Sequence, residues 1–225
     1  MSALELRASL SLASIFGLRL FGMFIILPVF ALYAEGLPGW NLTLVGFALG
    51  AYGLTQAILQ IPFGWVSDRL GRKPVMVAGL FLFAAGSALC AFAHSPWAVI
   101  LGRTIQGAGA ISGVAIAMAG DLTRTSQRTK AMAIIGSTIG VAFAGSFVVA
   151  PFLRDAIGVP GIFALTGVLA MAAVAIVVWV VPEPPARRHG TAPVPFLAVL
   201  RDPELLRLNV GIFALHAVLM ATFVV

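Results

Sequence analysis

The sequence predicts an all-α membrane protein, in which a six-helix transmembrane bundle is followed by the start of a seventh transmembrane helix. Hydrophobic residues make up 60% of the 225 residues and charged residues only 10%, whereas about 25% of the residues of a soluble domain are charged. Several apolar runs also reach the roughly 20 residues that cross a hydrocarbon core. The net charge of +6 does not indicate nucleic-acid binding, because the basic residues lie in short loops between apolar runs.

The predicted spans are apolar runs bounded by charge, proline or glycine. The first run is too long for the apolar part of a cleavable signal peptide. The seventh run stops at Val225 with too few residues to cross a bilayer, so we expect the chain to be the N-terminal part of a longer protein. The runs are 8–34, 43–66, 75–94, 97–119, 131–153 and 160–181, and then 208 onward.

The distribution of basic residues predicts the orientation in the membrane. Of the 14 lysines and arginines, eleven precede the first span or lie in the loops after spans 2, 4 and 6, and only Arg154 lies in a loop on the opposite side. Short cytoplasmic loops carry the excess of basic residues in membrane proteins. We therefore expect a cytoplasmic N-terminus in a multi-pass protein of a bacterial-type inner membrane.

A proline-rich stretch separates the sixth span from the seventh. The segment from Pro182 to Pro195 contains five prolines in fourteen residues, and proline does not continue a helix. The predicted organisation is a six-span bundle at 1–181, a cytoplasmic connector rich in proline and arginine at 182–207, and the start of a second bundle at 208–225.

The loop after the second span, GWVSDRLGRK from Gly64 to Lys73, concentrates charge in a chain that has little. A basic loop that merely stays on the cytoplasmic side accounts for Arg69, Arg72 and Lys73. It does not account for Asp68 or for the two glycines. Gly64 permits another helix to approach closely, and Gly71 permits the positive φ of a tight turn.

These residues resemble motif A of the Major Facilitator Superfamily, G-x-L-a-D-r-x-G-r-k, in which only Val66 departs from the pattern. The resemblance implies two six-helix halves, of which this chain holds the first. It also implies that Gly64, Asp68, Arg69, Gly71, Arg72 and Lys73 form a conformational latch, a charge network between the halves that favours the outward-facing state.

Other spans carry further resemblances to this superfamily. LGRTIQGAGA in span 4 is similar to motif B, which implies a role in proton coupling for Arg103, Gln106 and Gly107. Span 1 partly matches a pattern of twelve-helix drug:proton antiporters, and the whole chain resembles their YajR-type group. Motif C of exporters is only half present, because Val149-Ala150-Pro151 replaces its Gly-Pro, and this weakens the inference of export.

Polar side chains inside the spans are the other candidate site. An arginine at mid-bilayer costs about 2.5–3.5 kcal/mol on insertion scales, so Arg19 and Arg103 are expected to face a cavity or a partner unless they snorkel to the interface. Tyr52, Gln56 and Gln60 repeat at i+4 on one face of span 2. We interpret Arg19, Tyr52, Gln56 and Gln60 as candidates to line a cavity. Polar contacts between helices, without substrate, are the alternative.

Glycines and acidic residues give two further expectations. Gly107, Gly109 and Gly113 in span 4, and Gly136 and Gly140 in span 5, favour close helix packing. Acidic residues all lie at span ends or in loops, so we expect the proton-carrying acid in the missing half or at a loop end, such as Asp121 or Glu35, with His216 as a further candidate. The single cysteine, Cys90, is expected to be a packing residue.

The leading hypothesis is a secondary active transporter that exports amphiphilic small molecules against protons by alternating access. The alternatives are a metabolite uniporter or symporter and, in a different class, a membrane scaffold that does not transport. Nucleotide-binding and common hydrolase motifs are absent from the sequence, so we expect neither an enzyme nor a cofactor or metal. The expected partners are a small-molecule substrate, protons, the lipid bilayer and a C-terminal six-helix half.

Overall fold

The computed structural model describes residues 1–35, 39–183 and 201–224, which contain α-helices and no β-strand. The all-α fold class is confirmed. The α-helices of these described ranges are α1 (Ala3–Phe24), α2 (Leu27–Glu35), α3 (Leu42–Leu70), α4 (Arg72–Ala91), α5 (Pro96–Ala108), α6 (Ser112–Leu122), α7 (Arg128–Ala175) and α8 (Pro203–Val224).

Two predicted spans are each broken into two helices. Span 1 consists of α1 and α2, with a turn at Ile25 and Ile26 just before Pro28, which lacks the N–H that a continuous helix needs. Span 4 consists of α5 and α6, which are separated by residues 109–111. Both breaks occur where the sequence predicted an uninterrupted helix.

The fifth and sixth spans are the two arms of α7, which are joined by a non-helical residue. Helix α7 has a non-helical residue at Gly158, where φ is +69°, and a short π-helix, Ile176–Val180, continues it. Ile135 before the kink and Val177 after it belong to the same apolar core, so the two arms run antiparallel. By length and composition, five segments of the described residues can cross a membrane, and the fifth, Thr125–Val180, holds both arms.

The chain divides into two compact units, Met1–Pro185 and Ala186–Val225. The first unit contains α1 to α7, and the second contains α8, which begins at Pro203 and not at residue 208. Most of the proline-rich connector, 184–200, lies outside the described residues. The predicted domain boundaries at 181/182 and 207/208 therefore stay predictions.

The interior of the first unit contains two large apolar cores and a smaller apolar cluster of Tyr52, Phe83 and Ala170, which the residues of a polar layer contact. One core surrounds Leu12, Met76 and Met118, and the other surrounds Phe30, Val99 and Ile162. Along span 4, Arg103 separates Val99 of the second core from Ile111 of the first, whereas on α1 Arg19 lies between Phe16 and Leu20, which both belong to the first core. Polar residues at this depth of the bundle are costly and must find partners within it.

Close helix contacts depend on glycine at a few positions. A Cβ at Gly107 would lie 2.3 Å from the carbonyl oxygen of Tyr52, and a Cβ at Gly102 would lie 2.4 Å from the sulfur of Cys90. The expected packing of span 4 is thus confirmed, and buried Cys90 is a packing residue. The expectation for Gly136 and Gly140 is wrong within the described residues, because no atom lies within 4 Å of a Cβ built at either.

Candidate functional site

Arg19 lies at the centre of the polar layer and joins three helices. Its side chain is 2% exposed. Its Nη2 donates to Tyr52 Oη at 3.1 Å and to Gln56 Oε1 at 2.8 Å, and its Nη1 donates to Ser112 Oγ at 3.0 Å. The snorkelling alternative is therefore excluded for this residue. Its Nε is buried and has no hydrogen-bond partner among the described residues.

Arg103 lies beside it and is 1% exposed. It donates from Nε to the carbonyl oxygen of Ala48 at 3.4 Å and from Nη1 to Gln106 Oε1 at 2.9 Å. The amide nitrogen of Gln106 donates in turn to Ser87 Oγ at 2.7 Å. Both ends of the Gln106 amide group are thus held, and Arg103, Gln106 and Ser87 form one hydrogen-bonded chain.

Tyr52 connects the two arginines. Its hydroxyl accepts from Arg19, and its ring lies under Arg103, with the guanidinium carbon 4.6 Å from the ring centre. The Phe83 ring lies 5.5 Å from the guanidinium carbon of Arg19 and packs edge-on against Tyr52. Aromatic faces attract cations, so these rings partly compensate two charges that are out of contact with water.

Only two of the three polar residues predicted on one face of span 2 contact Arg19. Tyr52 and Gln56 both bind Arg19, whereas Gln60 lies against Gly113 and its buried Oε1 has no hydrogen-bond partner in the described part of the chain. Arg19 and Tyr52 are buried, whereas Gln56 and Ser112, which also bind Arg19, are half-buried. The lining of a transport cavity by these residues stays a prediction.

The polar layer contains cations without a counter-charge. In the ranges that the structure describes, no salt bridge joins Arg19 or Arg103 to a carboxylate; both guanidiniums donate to neutral oxygens. The side chain of His216 lies outside the described residues. A buried charge without a counter-charge lowers the stability of the fold by roughly several kcal/mol. The arrangement is therefore suited to receive an anionic or titratable group.

The motif A residues form an ion-pair network at one end of the bundle. Arg72, which is 7% exposed, donates from Nη1 to Asp68 at 2.8 Å and to the Ser67 hydroxyl, and from Nε to Asp121 at 3.1 Å. Asp121 lies near the end of α6, so the network ties the end of span 4 to the turn between spans 2 and 3.

The remaining motif A residues have separate roles. Gly71 has φ of +98°, so the predicted turn with positive φ is confirmed. Lys73 pairs with Glu183 at 2.7 Å, and Arg69 lies over the exposed Trp65 ring at 3.7 Å. The expectation for Gly64 does not hold within the described residues, because no atom lies within 4 Å of a Cβ built there; α3 is exposed along this face.

A second ion pair at this end was not predicted from the sequence. Glu5 forms a capping box with Ser2 at the start of α1. Its carboxylate also accepts from Nε of Arg124 at 2.9 Å and from the Arg124 backbone N–H at 3.1 Å. These hydrogen bonds raise the pKa of Arg124 above its ordinary value. They join the N-terminus to the loop after span 4.

Ser87, Ser112 and Glu5 are site residues that sequence reasoning did not select, and Asp121 was considered only as a loop-end acid that could carry the proton. A serine within a span is common and has no distinguishing pattern, and Glu5 was classed as a terminal acid. Asp121 had a usable signal, because an acid that directly follows an apolar span opposite a basic loop is a candidate partner for that loop.

These observations define a multi-pass α-helical membrane protein with a charged interior layer and an ion-pair network at one end. The chain belongs to the Major Facilitator Superfamily, whose family model matches residues 12–225.

Two relatives illustrate the similarity in sequence. The inner membrane transport protein YajR of Escherichia coli (strain K12) is 46% identical over 224 residues, which cover 98% of this chain and 49% of that protein. The multidrug resistance protein MdtH of Cronobacter sakazakii is 40% identical over 88 residues, which cover 39% of this chain and 22% of that protein. The chain spans about half the length of YajR.

Solved structures show the same fold at low sequence identity. The crystal structure of the POT family transporter PepTSo superposes with a TM-score of 0.72 and 19% identity, covering 87% of this chain and 41% of that one. Identity at this level supports the fold and carries no information about the ligand.

Proposed function

We propose that the protein of which this chain is part is a secondary active transporter that exports amphiphilic small molecules against protons. Membership of the superfamily supports transport by alternating access. The name of YajR, an inner membrane transport protein, supports an inner-membrane location, and that of MdtH, a multidrug resistance protein, supports drug-like compounds as substrates. Metabolite uniport or symport is the second candidate, because the motif C of exporters is incomplete at Val149-Ala150-Pro151.

The single observation that carries the coupling proposal is the buried position of Arg103. A fixed positive charge in a water-poor layer lowers the pKa of an acid that comes near it. The pKa of that acid rises again when the acid moves away. The hydrogen-bonded chain from Arg103 through Gln106 to Ser87 holds this charge in place. The acid itself lies in the second half of the transporter in this proposal.

The network around Arg72 is the proposed conformational latch. It holds the turn between spans 2 and 3 against the end of span 4, and we propose that it contacts the second half in the outward-facing state. The excess of basic residues in the loops at this end supports a cytoplasmic position for it. Asp68→Asn in the full-length protein is then expected to insert stably but to shift the balance of inward-facing and outward-facing states.

The proposal is tested with the full-length protein in proteoliposomes under an imposed pH gradient. Ethidium, Nile red and 1-naphthoate serve as a cationic, a neutral and an anionic amphiphilic probe. Transport of at least one probe against its gradient, abolished by nigericin, supports proton-coupled export. If each probe only equilibrates and the pH gradient has no effect, the coupling proposal is wrong and uniport becomes the better account.

A further inference from the structure

We propose that Arg19 is the binding residue for a carboxylate group on the transported compound, so that the substrates include amphiphilic organic anions. This inference rests on the proposed transport function and adds the charge class of the substrate. It follows from the different hydrogen-bond partners of the two buried arginines and from the apolar side chains that lie beside Arg19.

Arg19 has donor capacity that the bundle leaves unused. A guanidinium carries five N–H donors, and Arg19 makes three hydrogen bonds, all to neutral side-chain oxygens. Its Nε is buried without a partner in the described part of the chain. Buried polar groups almost always have a hydrogen-bond partner. A buried guanidinium N–H without one therefore indicates a position for a further acceptor.

The position of Arg19 fits a ligand that arrives from outside the bundle. Two of its partners, Gln56 and Ser112, are half-buried, so a small rearrangement of these side chains opens the guanidinium to the bundle surface. Arg103 differs, because the Tyr52 ring covers it and its acceptor Gln106 is held by Ser87. The side-chain partners Gln56 and Ser112 of Arg19 are therefore less buried than those of Arg103.

The chemistry around Arg19 selects a carboxylate attached to an apolar body. A carboxylate supplies both charge compensation and strong acceptors for N–H groups, which the neutral oxygens of Gln56 and Ser112 do not. Met23 packs with Tyr52 and Phe83 beside the guanidinium, and these side chains offer an apolar contact. A carboxylate side chain from another part of the full-length protein is the competing occupant.

The test compares 1-naphthoate with its neutral isostere 1-naphthamide by isothermal titration of the purified full-length protein in detergent at pH 7. Naphthoate is expected to bind at least about tenfold more tightly than naphthamide. This is the affinity ratio that one hydrogen bond to a charged group supplies. Arg19→Gln should remove this preference, and Arg19→Lys should keep part of it. Arg154→Gln is the matched control, because Arg154 pairs with the exposed Asp155; it should leave the ratio unchanged.

Three outcomes contradict the inference. Equal binding of the two compounds by the wild-type protein indicates that Arg19 is already paired with another part of the protein. A preference that survives in Arg19→Gln assigns the anion to another residue. A lower unfolding temperature of Arg19→Gln with an unchanged ratio makes Arg19 a structural residue. Each of these leaves the transport of Nile red or ethidium, and with it the proposed function, unaffected.

Discussion

Arg19 and Arg103 meet at one side chain, because the Tyr52 hydroxyl accepts a hydrogen bond from Arg19 while the Tyr52 ring faces Arg103 at 4.6 Å. Two buried cations that share a partner respond to each other, since a shift of the ring changes the surroundings of both. This relationship places the candidate ligand residue and the candidate coupling residue in one layer of the bundle.

The two functions of Tyr52 are separable by substitution. Tyr52→Phe removes the acceptor of Arg19 and keeps the ring, so we expect a loss of about 0.6–1.5 kcal/mol of stability. Tyr52→Leu also removes the ring and should cost about 0.5–2 kcal/mol more. Thermal unfolding of the full-length protein in detergent measures both, with the exposed Phe81 replaced by leucine as control. Equal unfolding temperatures for the Phe and Leu variants would exclude a role for the ring.

Gly107 and Gly136 are a matched pair of helical glycines. A Cβ at Gly107 would lie 2.3 Å from the Tyr52 carbonyl oxygen, whereas a Cβ at Gly136 meets nothing within 4 Å. Gly107→Ala should therefore destabilise the protein by about 1–3 kcal/mol, because helix backbones must move apart. Gly136→Ala should be neutral or slightly stabilising, because alanine favours helix. The reverse order of unfolding temperatures would show that the packing around span 4 is described wrongly.

The Arg72 network predicts a role for Asp121 equal to that of Asp68, since both carboxylates bind the same guanidinium. Asp121→Asn should change the ratio of inward-facing to outward-facing molecules about fivefold, which corresponds to about 1 kcal/mol. Cysteine accessibility of the full-length protein measures this ratio.

The control is Asp155→Asn, because Asp155 pairs with Arg154 in an exposed position and surface pairs contribute little. If Asp121→Asn and Asp155→Asn leave the ratio equally unchanged, the network is structural and has no part in the conformational change.

Orientation is tested with single cysteines in a Cys90→Ser background. Ser95 and Ser126 are both exposed, and they flank span 4 at its opposite ends. The cysteine at Ser126 should react with a membrane-impermeant maleimide only from the cytoplasm, and the cysteine at Ser95 only from outside. The opposite labelling pattern would overturn the assignment of the Arg72 network to the cytoplasmic side.

Much of this architecture is predictable from local pattern, and the exceptions have physical reasons. The six spans follow from hydropathy and charge, and the i+4 spacing correctly placed Tyr52 and Gln56 on one face. Their shared partner, Arg19, depends on how α1 packs against α3, and periodicity within one helix carries no information about that packing.

The errors have the same cause. Gly64 and Gly107 look alike in sequence, but only Gly107 lies where a neighbouring backbone approaches. Glu5 precedes the first apolar run and was classed only as a terminal acid, yet it is buried and Arg124, in the loop after span 4, pairs with it. In each case the deciding contact joins residues far apart along the chain.

The most direct test of the central claim is the coupling of pH-driven transport to the charge of Arg103. It is made with the full-length protein in proteoliposomes, with transport rate and substrate affinity measured on the same preparation. Arg103→Ala should abolish transport driven by a pH gradient while substrate affinity changes little, and Arg103→Lys should keep part of the transport, because it keeps the charge. Loss of substrate binding in Arg103→Ala with proton coupling intact would contradict the account and make Arg103 a substrate ligand.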